Sequence, residues 1–151
     1  MSEHPPIDPG FEARTRASFA RQQVMDTLGA RMTHVTAGEC EIELPFRTAL
    51  TQQHGFLHAG VVATLLDSAC GYAAFTLMPA DAGVLTIEFK INLLAPARGD
   101  TLLARGTVKR AGRNVIVGNA DGYMLSGGER RLVATMIGTL MCIQGRADVT
   151  G

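Results

Sequence analysis

The stretch His58–Leu77, HAGVVATLLDSACGYAAFTL, decides how this chain is read. It contains no Lys, Arg or Glu and a single acid, Asp67, so as a helix it offers water no polar face. A helix apolar all the way round is a buried helix. Small and polar residues interrupt it too often for a membrane span, which needs roughly 18 or more apolar residues in succession. The remainder of the chain must therefore wrap it.

The wrapping is legible downstream. Residues 84–94 put Leu85, Ile87, Phe89, Ile91 and Leu93 on one side and Thr86, Glu88, Lys90 and Asn92 on the other, the period of a strand. Further strands are expected near 100–110, 114–125 and 130–143, divided by turn residues at Pro96–Asp100, Ala111-Gly112 and Ser126–Gly128. Connections this short leave no room for crossover helices, so the sheet is antiparallel. Gly118, Ala120 and Gly122 share one face of the 114–125 segment, a floor low enough for a helix to approach closely.

Upstream, residues 31–46 read as two short strands around Ala37-Gly38, with Cys40, Ile42 and Leu44 alternating against three glutamates. Before them, Ala13, Ala17, Ala20, Val24 and Leu28 recur at helical spacing, which predicts one amphipathic covering helix over residues 11–28, stopped by Gly29. The organisation expected is an irregular lead-in over 1–10, a single domain over 11–145 and a tail over 146–151. The fold class is α+β: a curled antiparallel sheet around one long buried helix, with an N-terminal covering helix.

Bulk properties narrow the function classes. Fourteen basic and fourteen acidic residues cancel, so no long-range field draws the protein to nucleic acid or to an anionic membrane. Cys40, Cys70 and Cys142 are odd in number and far apart, which suits reduced, buried thiols and a cytoplasmic location. The N-terminus shows no basic-then-apolar targeting pattern. No Walker loop, dinucleotide fingerprint or metal-ligand spacing occurs, so neither a metal nor a cofactor is expected.

A carboxylate in an apolar helix is costly without a task or partners, which singles out Asp67. The helix start, Gly55-Phe56-Leu57-His58-Ala59-Gly60, brings small residues to the first turn, where unpaired N–H groups and the positive end of the dipole could receive an oxyanion. Ala59 and Asp67 are eight residues apart, roughly 12 Å along a helix axis. Reacting groups must approach within about 3–3.5 Å. The two can cooperate only if they come from different copies of the helix, set antiparallel about a two-fold axis. A homodimer is therefore required for a site that uses both, and either a dimer or a homotetramer built as a dimer of dimers meets that requirement.

The pattern Gln52-x-x-Gly55-x-Leu57-His58-Ala59-Gly60 followed by Asp67 resembles the N-x-x-G-x-L-H-G-G…D signature of PaaI-like thioesterases, members of the hot-dog-fold 4-hydroxybenzoyl-CoA thioesterase superfamily. The resemblance extends through Leu85–Phe89 and the Asn92–Pro96 turn. It implies an acyl-CoA thioesterase in which Asp67 is general base or nucleophile and the Ala59 N–H polarises the thioester carbonyl. It further implies that Gln52 orients substrate or water, that His58 shapes the site, and that Thr86 positions the attacking water, with Gly60 and His54 among the substrate-binding residues.

Two positions depart from the signature: Gln52 replaces Asn and Ala59 replaces Gly. Alternation sets Thr86 opposite the apolar face, so its role requires a bulge or an interface. For the phosphates of coenzyme A, which is part of the substrate, Arg110 and Arg113 in the basic turn rank ahead of Arg98. The acyl chain is expected between subunits, near Leu66, Cys70 and Tyr72. Two other readings use the same fold: a non-catalytic acyl-CoA sensor, which has little need of an acid at position 67, and a dehydratase or hydratase, which would use a His and an acid across the interface.

Overall fold

The computed structural model describes residues 4–151; residues 1–3 of the expected lead-in lie outside the described residues. Six strands follow the alternating segments: β1 (Arg31–Thr36), β2 (Glu39–Pro45), β3 (Gly83–Leu93), β4 (Thr101–Ala111), β5 (Val115–Ser126) and β6 (Glu129–Ile143). They pair antiparallel in the order β1-β2-β4-β5-β6-β3, so the sheet is open and β1 and β3 are its edges. The helix α3 (Ala59–Phe75) lies in the curl of this sheet and packs against β2, β3, β4, β5 and β6. This is the hot-dog arrangement.

The helix is held close because the sheet beneath it lacks side chains. A methyl group at Gly106 of β4 would fall 2.7 Å from the Cys70 backbone nitrogen and nearer still to the Ala69 carbonyl. Gly118 and Gly122 of β5 likewise make room for the Cys70 sulfur and for Leu66. Leu65, Leu66 and Phe75 are fully buried as a result. Each such side chain contributes about 1.5–3 kcal/mol relative to exposure.

The N-terminal cover differs from the single alanine-striped helix expected. It is two helices, α1 (Phe11–Arg21) and α2 (Gln23–Leu28), broken at Gln22, whose ψ of 97° is extended. Ala13, Ala17, Ala20 and Val24 are exposed; Thr15 and Met25 are the buried residues. Alanine contributes too little apolar area to orient a helix, and larger contacts decide instead. Phe19 meets Tyr72 edge-on at 5.8 Å, and Arg14 donates hydrogen bonds to the Phe75 and Met78 carbonyls where α3 ends.

The strict alternation read over 84–94 also fails, at one residue. The pairing of β3 with β6 shifts between Thr86 and Glu88, so Ile87 is an extra residue in a β-bulge. Residues directly opposite one another share a face: Thr86 faces Leu140 and Phe89 faces Gly138, whereas Leu85 faces Met141. The slip of one residue therefore moves Thr86 to the helix side of the sheet and Leu85 to the outer side. At the open edge, Leu85, Ile87, Phe89 and Leu93 remain between 41% and 52% exposed. No helix of the described residues is long and apolar enough to cross a membrane.

Candidate active site

The bulge brings the hydroxyl of Thr86 to the acid that the buried helix carries. Thr86 Oγ1 donates to Asp67 Oδ1 at 2.8 Å. Burial pushes the Asp67 carboxyl above the usual aspartate range, and the Thr86 hydrogen bond acts in the opposite direction. The result is a half-buried carboxyl with one fixed donor and an ionised form that burial disfavours. Asp67 opens into a cavity of about 300 Å³ between α3, the start of β3, the end of α1 and residues 148–151. Cys70, one turn on, is pushed up to about 12, chiefly by burial, and is an inert thiol.

The other end of the helix is built differently. His58 is the N-cap: its Nδ1 accepts from Gly60 N–H at 2.8 Å, which leaves the ring proton on Nε2. Gly60 suits this because a Cβ there would lie 3.1 Å from that nitrogen. Val61 and Val62 N–H donate to the His58 carbonyl. Ala59 is exposed, and among the described residues its N–H has no acceptor. The first turn thus presents one unused amide at the positive end of the dipole. It faces a second cavity, of about 280 Å³, lined by Gln52, His58, Ala59 and apolar residues that include Leu93 and Val133.

The two cavities share no lining residue, so one protomer does not bring Asp67 to Ala59. Of the other sequence candidates, Gln52 sits beside Ala59, and its Oε1 accepts from His54 N–H at 2.6 Å. His54 itself is exposed on the turn. Arg110 and Arg113 are exposed on the β4–β5 hairpin and line neither cavity. Leu66 and Cys70, expected along the acyl path, are instead sealed against the sheet at 0% and 1% exposure, because the glycine floor draws their face of the helix inward; Tyr72 does border the Asp67 cavity. Among the described residues no cluster of His, Cys, Asp or Glu could hold a metal ion.

Ser68 also borders the Asp67 cavity, together with Ser18, Gln22 and the segment 148–151, which were not singled out by the sequence. Ser68 Oγ donates to Gln22 Oε1 at 3.3 Å. Glutamine is a good helix former, so the pair Gln22-Gln23 gives no sign of this in the sequence.

Comparison with known proteins places the chain in a family. Residues 54–129 match the thioesterase superfamily, and the chain belongs to that family. It is 34% identical over 116 residues to a candidate esterase of Halobacterium salinarum, spanning 70% of this chain and 76% of that protein. A crystal structure of a thioesterase family protein from Silicibacter pomeroyi is 53% identical, with a TM-score of 0.88, covering 90% of this chain and all of the other. The Escherichia coli PaaI protein, at 20% identity and a TM-score of 0.80 over 89% of this chain and 94% of that one, shares the fold.

Proposed function

We propose that the protein is an acyl-CoA thioesterase of the cytoplasm, needing no metal or redox cofactor, whose site is completed between two subunits. The observation that carries this reading is that one strand borders both cavities: Gly83–Thr86 at the start of β3 borders the Asp67 cavity, and Leu93 at its end borders the Ala59 cavity. β3 is an open edge with unpaired backbone groups and exposed apolar side chains. Antiparallel pairing of β3 with its copy sets the start of one strand beside the end of the other. Each Asp67 cavity then meets the partner's Ala59 cavity, giving two equivalent sites.

At such a site the thioester carbonyl accepts from the unused Ala59 N–H, which stabilises the oxyanion as it forms. Asp67 either takes a proton from water as the water attacks, or attacks the carbonyl itself to give an anhydride that water then opens. Thr86, held on the carboxylate, orients it or the water. Coenzyme A leaves as its thiolate and takes up a proton. Gln52 and His58, with its Nε2–H, shape the carbonyl side together with Gly60 and His54. Arg110 and Arg113 are the cations proposed for the phosphates.

Thiol release from a panel of short aliphatic, medium-chain and aryl acyl-CoAs tests the reading. Asp67→Asn is expected to lower turnover by about 10²–10⁴-fold. Binding of the panel with thiol release by both proteins only at the background rate would reject the enzyme in favour of a non-catalytic binder; fast release unchanged in Asp67→Asn would remove Asp67 from the chemistry.

A further inference from the structure

The Asp67 cavity is closed on one side by a segment outside the sheet-and-helix core. After β6 ends at Ile143, the chain turns over residues 146–149, with Val149 N–H bonded to the Arg146 carbonyl at 3.3 Å. It runs past the start of β3 towards the end of α1. It is tied at both ends: Gln144 Nε2 donates to Asp81 Oδ1 at 3.0 Å, and Arg21 donates to the Gly151 carbonyl. Between these ties, Val149 is half-buried against Gly83. A Cβ at Gly83 would lie 2.8 Å from Val149 Cγ1, although the Gly83 backbone has no positive φ. The glycine there provides space for the valine, not a special turn. Asp148–Gly151 in consequence border the same cavity as Asp67 and Thr86.

We infer that residues 148–151 are the end wall of the acyl cavity, and that Val149 determines how long an acyl group the site accepts. This rests on the thioesterase reading. At about 300 Å³ the cavity lies at the small end of ligand pockets, which run from about 300 to 1,000 Å³. Val149 stands where a longer group would have to pass.

The test is kcat/KM across saturated acyl-CoAs of increasing length. One methylene in such a pocket is worth about tenfold or more in discrimination. Val149→Ala, and separately removal of residues 148–151, should raise the ratio of longer-chain to shorter-chain kcat/KM by about tenfold, and Val149→Phe should lower it by a similar factor. Should the shortened chain fail to fold, the two point variants decide alone. An unchanged length profile in the variants would overturn the end wall. Wild-type protein releasing thiol from no acyl-CoA would instead sink the thioesterase reading, and the same ratio would then be read from calorimetric Kd values.

Discussion

Replacing Gly106 by alanine probes the link between sheet and site, although Gly106 touches no substrate. Its added methyl would sit 2.7 Å from the Cys70 nitrogen, at least 0.7 Å inside ordinary contact at 3.4 Å, and closer still to the Ala69 carbonyl. Both obstacles are backbone atoms of α3, so no side chain can swing aside. The helix must lift by about 1 Å, and Asp67 is carried with it, two residues before Ala69. Overpacking of this kind costs about 1–3 kcal/mol of stability. A displacement of about 1 Å at a reacting group costs roughly 10²-fold in rate.

Urea unfolding and thiol release, measured side by side with Gly71→Ala, provide the assay. Gly71 lies in α3 with nothing within 4 Å of its would-be Cβ, so that variant should be as stable as wild type or gain about 0.5–1 kcal/mol. A Gly106→Ala protein with wild-type stability and turnover would refute the account of a helix seated on bare backbone.

Three further outcomes are expected. The raised pKa of Asp67 means that its ionised form weakens the fold: the stability is full below the unfolded aspartate pKa near 4 and is lost as pH rises through the folded value. Asp67→Asn should therefore melt above wild type at neutral pH, the gap closing as pH falls to about 4; a constant gap in thermal scans across pH would contradict this. Thr86→Val removes the donor that lowers the Asp67 pKa, so the acid limb of the kcat/KM profile should move to higher pH and turnover should fall roughly tenfold, the worth of a hydrogen bond to a charged group; an unmoved limb would detach Thr86 from the acid. Ile87→Lys places a charge on the open edge and should yield inactive monomers by sedimentation; a fully active monomer would remove the need for a partner.

Much of this architecture could be read from residue types because two periodicities dominate it. The lack of a polar face over His58–Leu77 reflects burial all round, the alternation of the later strands reflects burial on one face, and both elements form where expected. A bulge or an interface was required by the role implied for Thr86, but its position at Ile87 is defined by the register of β3 on β6, which no residue type signals. It nonetheless decides which side Thr86 faces. The alanine stripe misled for the opposite reason: its period is helical, but its area is too small to orient a helix against Phe19, Arg14 and Thr15. Asp67 stood out by its chemistry alone. The roles of Thr86 and Gln52 came only through resemblance, and the 148–151 wall depends on where the chain returns after its last strand.

Whether Asp67 acts with the amide of another subunit is decided by mixed dimers. Ala59→Pro deletes the N–H at the first helical position, where proline is well tolerated, and His58 already has the extended ψ of 138° that a following proline requires. Asp67→Asn and Ala59→Pro should each be inactive as pure assemblies. In a dimer of one of each, purified on two tags, one site carries both defects and the other neither, so thiol release should recover to about half the wild-type rate. Mixed dimers as inactive as their parents would contradict a site shared between subunits.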